Sequence, residues 1–152
     1  MEKKYKLTDE TIEVEGKALY RIEALKDFCE IKKGDKGGFI ESEDNLSHEG
    51  NAWVYDDACV YDNALVTDDA CVSDNARVYN DARLYDNSWV YDNACVYGTS
   101  CVYDDARVCG NARVYGTARV TDDACVCGTA RVCDNDWVYD HAFGVWKRSN
   151  KK

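Results

Sequence analysis

Histidine and cysteine are the residues of this sequence whose types and spacing point most directly to chemistry. The chain has two histidines, His48 and His141, and either could act as a general base or a metal ligand. Cys125 and Cys127 form a Cys-x-Cys pair, and Cys109 precedes it; such thiols bind soft metals or become oxidised. The chain contains no glycine-rich phosphate motif and no nucleophile elbow. Its chemistry therefore depends on which of these side chains the fold brings together.

Composition and charge narrow the function classes. The chain has 152 residues, no proline and a net charge of -10, which opposes direct binding to nucleic acid phosphates. No apolar run approaches the roughly 18 residues of a membrane helix, and no apolar secretory signal begins the chain. The nine cysteines are an odd number, which favours reduced thiols over a disulfide framework. We therefore expect a soluble, cytoplasmic protein that makes no membrane contact.

Residues 51–140 are an uninterrupted series of fifteen hexapeptides. The second residue is Ala in 12 of them, and the fourth is Val in 14 and Leu84 in the other. This alternation predicts short strands with one buried face, while Asp, Asn and Gly at the sixth and first positions predict turns. The short Asp side chain is expected to accept hydrogen bonds from the backbone of its own turn. Because one hexapeptide cannot bury its Val alone, neighbouring units must stack into a solenoid.

The pattern resembles the hexapeptide repeat of left-handed parallel β-helices, in which three hexapeptides form one triangular coil. The resemblance implies an all-β fold, a left-handed parallel β-helix of about five triangular coils with 18 residues each, over residues 51–140. Residues 25–57 also resemble the N-terminal segment of bacterial and phage hexapeptide proteins that are catalogued as transferases. We expect residues 1–50 to form a small N-terminal β cap with a hairpin around Glu15 and Gly16. Residues 141–152 are expected to form a C-terminal cap and a basic tail, with Phe143 and Trp146 closing the end.

The 18-residue coil sorts the outward residues into columns. One column of tyrosines lies beside a column that contains arginines, and both residue types are enriched at interface hot spots. This surface is our first candidate for binding a protein partner: Tyr61, Arg77, Tyr79, Tyr97, Arg113 and Tyr115. The alternative is that the tyrosines stack only as an internal ladder of the solenoid.

Two further surfaces follow from the same columns. One corner is an acidic ridge of eight carboxylates, spaced closely enough to mimic a nucleic acid strand. Its alternative role is turn geometry alone. The second-choice binding residues on it are Asp86, Asp104, Asp105, Asp122 and Asp123, with Asp68, Asp69 and Asp140 completing the ridge. Another face carries an aromatic patch that is expected to be exposed and to serve self-association into a homo-oligomer: Trp53, Tyr55, Trp89 and Tyr91.

The resemblance allows enzyme hypotheses to be weighed. Acyltransferases of the resembled fold use a histidine base and a protruding loop, and carbonic anhydrases of that fold use three histidines on a metal. Here His48 precedes the repeats, His141 follows them, and no loop interrupts the hexapeptides. We therefore expect no catalytic residue, no cofactor and no metal, with Cys109, Cys125 and Cys127 as inert or slowly oxidising thiols.

The resulting hypothesis is a non-catalytic, acidic interaction protein. Its partner is expected to be a protein that is basic or binds nucleic acid. The resemblance implies a phage origin, and the context it suggests is the blocking of a host macromolecule, such as a component of a defence system. Two alternatives stay open: a transferase-like enzyme of the hexapeptide acyltransferase superfamily, and a purely structural oligomer.

Overall fold

The computed structural model describes residues 3–139 and the backbone of residues 141–142. In the described part of the chain, a β-hairpin, a third strand and a short 3-10 helix precede sixteen two-residue strands. The elements are β1 Tyr5–Val14, β2 Lys17–Ala24, β3 Lys36–Ile40, the 3-10 helix Glu43–Asn45, β4 Trp53–Val54, β5 Cys59–Val60, β6 Leu65–Val66, β7 Cys71–Val72, β8 Arg77–Val78, β9 Arg83–Leu84, β10 Trp89–Val90, β11 Cys95–Val96, β12 Cys101–Val102, β13 Arg107–Val108, β14 Arg113–Val114, β15 Arg119–Val120, β16 Cys125–Val126, β17 Arg131–Val132, β18 Trp137–Val138 and β19 His141–Ala142.

The hexapeptides form a parallel β-solenoid, as predicted. Each strand consists of the third and fourth residues of a hexapeptide, and it pairs in register with the strand 18 residues further on, as Val96 does with Val114. Three sheets result, with the orders β1-β2-β3-β5-β8-β11-β14-β17, β19-β16-β13-β10-β7-β4 and β18-β15-β12-β9-β6. The second-position Ala and fourth-position Val side chains point inward and form one continuous buried core. The hand of the coil stays a prediction from the resemblance.

The corners depend on a residue in the left-handed region of backbone space. The sixth residue of the hexapeptide has a positive φ, for example 58° at Asp86 and 59° at Asn80. Asp, Asn and Gly are the residues that adopt this conformation at least cost, which explains the composition of the corners.

The corner aspartates hydrogen-bond in a way that differs from the prediction. Instead of bonding within its own turn, the Asp68 carboxylate accepts from the backbone N–H of Asp86 in the next coil, at 3.1 Å. The same bond recurs between Asp74 and Asp92 at another corner. The sixth-position N–H points along the corner toward the preceding coil, so a short side chain at the equivalent position there can accept from it. Asp therefore connects successive coils.

The N-terminal residues form the predicted hairpin and an irregular first coil. Val14 pairs with Lys17 across the turn at Glu15 and Gly16, and β2 continues antiparallel to β3. Strand β3 then pairs in parallel with β5, and Leu46 forms a parallel bridge with Val66. With this additional coil the solenoid has about six turns.

Several sequence expectations concern residues outside this description. They are the positions of Asp140, Phe143 and Trp146 and of the basic tail at 147–152. Among the residues that are described, no helix has the length and apolarity needed to cross a membrane.

Candidate binding surfaces

The tyrosine face is the outer surface of β5, β8, β11, β14 and β17 together with the residue after each strand. Its tyrosine rings stack in register: the ring centroids of Tyr61, Tyr79, Tyr97 and Tyr115 are 5.0, 4.9 and 5.1 Å apart in succession. These spacings match the roughly 4.8 Å between strands, and the ring planes differ by at most 6°. The predicted column of tyrosines is therefore present as a regular ladder.

Tyr61 cannot serve as an exposed binding residue, so its assignment to the candidate site is wrong. Its side chain is fully buried in a cluster with Val14, Leu19 and Phe39. The cause is the hairpin, whose apolar side chains fold over the first rung of the ladder. The exposed part of the tyrosine face therefore begins at Tyr79.

Arginines line the ladder on one side. Arg77, Arg113 and Arg131 are exposed, and Cys95 lies between the first two in the same column. The side chain of Arg113 reaches the hydroxyl of Tyr97 in the preceding coil. Burial raises the pKa of Tyr79 to about 12, so its hydroxyl stays a hydrogen-bond donor at neutral pH. The face thus combines neutral phenols with permanent positive charges.

The acidic ridge is also assembled as predicted. One shallow groove is lined by Asp68, Asp69, Asp86, Asp104, Asp105, Asp122 and Asp123, together with Gly50, Asn87 and Tyr139. Three sixth-position carboxylates of this corner are engaged: Asp68 accepts from the N–H of Asp86, Asp86 from that of Asp104, and Asp104 from that of Asp122. Hydrogen bonds from the Thr121 hydroxyl and from this N–H lower the pKa of Asp104. Asp68, Asp86 and Asp104 therefore have a structural role that accounts for their presence.

The aromatic patch proposed for self-association is only partly exposed. The tryptophan face is the outer surface of β4, β7, β10, β13, β16 and β19, and its first residue, Trp53, is fully buried. Tyr5 and Phe28 pack edge-on against its indole ring, at centroid distances of 6.2 and 5.3 Å. Tyr55 is half-buried and packs against the core. The exposed-patch prediction is therefore wrong for Trp53, because the N-terminal segment folds across this coil.

Trp89 and Tyr91 remain accessible on the tryptophan face. Trp89 is 40% exposed, its indole N–H donates to the Ser73 hydroxyl at 3.0 Å, and its ring stands 4.7 Å from that of Tyr91. The Arg107 guanidinium lies over the same indole ring, 5.7 Å from its centroid. Self-association through this smaller patch stays a prediction.

His48 is held within the N-terminal segment. Its Nδ1 accepts from the backbone N–H of Lys4 at 3.0 Å, and its Nε2 lies 2.8 Å from the Glu43 carboxylate. The imidazole ring also stacks on Tyr5, with a centroid distance of 4.2 Å. The hydrogen bond from His48 lowers the pKa of Glu43. Both ring nitrogens are therefore engaged in structural contacts.

Sequence reasoning missed a second tyrosine stack. Tyr85 and Tyr103 lie on the third face, formed by β6, β9, β12, β15 and β18, and their rings stack at 4.9 Å with parallel planes. The signal was available, because both are fifth residues of hexapeptides 18 positions apart. Tyrosine stacking is thus a property of the repeat, and this shorter stack is also flanked by alternating arginines, Arg83 and Arg119.

Comparison with known proteins agrees with the fold. The chain is similar to the YdcK beta solenoid repeat family over residues 70–86, 101–116 and 106–121, which lie within the coils and cover less than half of the chain. No curated protein matches the sequence. The strict six-residue period, the in-register coils and this local similarity identify the chain as a hexapeptide-repeat β-solenoid protein.

Proposed function

We propose that the protein is a non-catalytic binding module that recognises a protein partner through the tyrosine face. The observation that carries this proposal is the set of three accessible, stacked rings, Tyr79, Tyr97 and Tyr115, beside exposed arginines. Tyr and Arg dominate interface hot spots because they bury much area and also offer hydrogen bonds.

Stacking prepares these rings for binding. The three contacts of the ladder hold Tyr79 and Tyr97 between neighbouring rings at close to 5 Å and Tyr115 against one ring, so little side-chain freedom remains to be lost when a partner docks. The coil register also fixes the spacing between a ring and the guanidinium beside it. Such a surface fits a partner that presents an extended segment with apolar groups for the rings and carboxylates for Arg77 and Arg113.

The acidic ridge supports this choice indirectly. Asp68, Asp86 and Asp104 already accept hydrogen bonds from the backbone of the next coil, so their presence needs no partner to explain it. The ridge and the net charge of -10 still favour a partner of opposite net charge through long-range attraction. The phage origin and the blocking of a host macromolecule remain predictions from the resemblance.

A capture experiment with matched variants tests the proposal. The wild-type protein, Tyr97→Ala and Tyr103→Ala are immobilised, and proteins retained from lysate of the source organism are quantified by mass spectrometry. Tyr103 is the control because it is also a half-buried, stacked fifth-position tyrosine, on a different face. We expect a protein that is retained by the wild type and by Tyr103→Ala and lost with Tyr97→Ala. Equal retention by Tyr97→Ala and the wild type contradicts the proposal.

A further inference from the structure

Three thiols come together on the tryptophan face, one coil from the C-terminal end of the described residues. Cys109 follows β13, while Cys125 and Cys127 belong to the next coil, at and just after β16. Their Sγ atoms all lie within 4.8 Å of one another. Cys109 is buried and the other two thiols are half-buried. The sequence shows a pair along one strand, and the 18-residue register adds a third sulfur that completes a triangle.

This triangle is close to the dimensions of a metal site. Zinc binds thiolate sulfur at about 2.3 Å, which in a tetrahedral site places two sulfurs roughly 3.8 Å apart. The three sulfurs therefore need to approach by no more than about 1 Å, which side-chain rotation can supply. The backbone positions of the three cysteines are already fixed by the coil register, so binding requires little reorganisation.

The surroundings of the thiols also suit a cation. Three thiolates whose sulfurs lie within 4.8 Å of one another would repel one another. A divalent cation at the centre of the triangle removes that repulsion. The Tyr91 hydroxyl hydrogen-bonds to the Cys109 sulfur and provides an outer contact of the kind that orients a ligand.

The three thiols leave one position on a zinc ion open. Three protein ligands with water in the fourth tetrahedral position are an established arrangement for zinc. We propose that Cys109, Cys125 and Cys127 bind one zinc ion. The ion would connect β13 and β16, which are successive strands of one sheet, and so stabilise the C-terminal coils.

Zinc titration of the reduced, full-length protein tests this site. Metal is first removed with a chelator, all nine cysteines are confirmed as free thiols, and zinc is titrated in competition with a chromophoric chelator. We expect one equivalent to bind, and Cys127→Ser to weaken binding by roughly a hundredfold or more, since it removes a direct ligand. The control is Cys101→Ser, because Cys101 lies between Arg83 and Arg119 in its column and should not contribute. Its affinity should stay within about twofold of the wild type.

Two further measurements keep the test decisive. Circular dichroism shows whether Cys127→Ser still folds, and its thermal midpoint should no longer rise on zinc addition, unlike that of Cys101→Ser. Absence of micromolar zinc binding by the reduced wild type, or equal binding by Cys127→Ser, would overturn the site.

Discussion

The Oδ2 atom of Asp86 accepts a hydrogen bond from the backbone N–H of Asp104, 18 residues later, at 3.1 Å. Asp86 in turn donates its own N–H to Asp68, so the carboxylates of one corner form a chain of bonds parallel to the solenoid axis. The stacked tyrosine rings form a second column along the solenoid, on the adjacent sheet surface. Side-chain ladders therefore accompany the backbone ladder along the coils.

Substitution of Asp86 tests the corner bonds. Asp86→Asn should cost little stability, because an amide oxygen can replace the carboxylate, as Asn80 does when it accepts from Gly98. Asp86→Ala should lower the free energy of unfolding by about 1–2 kcal/mol, because it removes the acceptor and places alanine at positive φ. Urea denaturation of the two variants measures the difference. Equal losses in both would show that the bond to Asp104 contributes nothing.

Two substitutions of Tyr61 distinguish the stability contributed by its ring from that contributed by its hydroxyl group. Its hydroxyl is buried and makes no hydrogen bond of good geometry within the described residues, although the Arg77 side chain lies near it. Tyr61→Phe should therefore leave the stability unchanged or raise it slightly, since it removes an unsatisfied polar group. Tyr61→Ala should cost about 3–5 kcal/mol by opening a cavity beneath the hairpin. Chemical denaturation measures the free energy of unfolding of both variants. A large loss of stability in Tyr61→Phe would mean that the hydroxyl has a stabilising partner.

The sequence was sufficient to predict the coils because their period is strict. A coil of 18 residues makes Val96 and Val114 neighbours in adjacent coils. With that period every outward residue can be assigned to a column, and the columns predict the tyrosine ladder and the acidic ridge. The direction of the Asp hydrogen bonds was not predictable in the same way. It depends on where a corner N–H points in three dimensions, and composition does not report that.

The errors in the predicted site have a common cause. Both Tyr61 and Trp53 are covered by the N-terminal segment, through Leu19 in one case and Phe28 in the other. That segment has no repeat, so its contacts with the coils are long-range and leave no periodic signal. The first coil was therefore predicted to be as exposed as the coils that follow it.

Stability should fall as the pH rises above about 8.5. Burial raises the pKa values of Cys59, Cys71 and Cys95 in the folded protein, and that of Tyr79 to about 12. In the unfolded chain these thiols titrate near 8.5 and the phenol near 10, so the folded state holds more protons in this range. Below their unfolded-state pKa values, these thiols and the phenol contribute stability to the fold. That stability is lost progressively as the pH rises toward their pKa values in the folded protein.

Lys4 provides the control for this pH dependence. Burial, followed by the charge of Lys26, lowers its pKa to about 8, so Lys4 alone makes stability increase between about pH 8 and 10.5. Urea denaturation at several alkaline pH values, with chelator present, should show a net decline in the wild type. The decline should be steeper in Lys4→Met, which lacks the opposing contribution. A wild-type stability that rises over this range would contradict the pKa directions.

The transferase alternative predicts binding of an acyl donor, and our proposal predicts none. Isothermal titration calorimetry with acetyl-CoA should detect no saturable binding. His48→Ala should lower stability by about 1–3 kcal/mol, because it breaks contacts to Lys4 and Glu43, while partner binding persists. Saturable binding at micromolar acetyl-CoA that disappears in His48→Ala would favour the enzyme.

The affinity of the purified partner for Tyr97→Ala, compared with Tyr103→Ala and with a ridge variant, tests the central claim most directly. The ridge variant carries Asn at positions 104, 105, 122 and 123. We predict that Tyr97→Ala weakens binding by about 2 kcal/mol, roughly thirtyfold, mainly through faster dissociation, while Tyr103→Ala and the ridge variant stay within about twofold. An affinity that survives Tyr97→Ala but collapses in the ridge variant and at moderate salt would contradict the account.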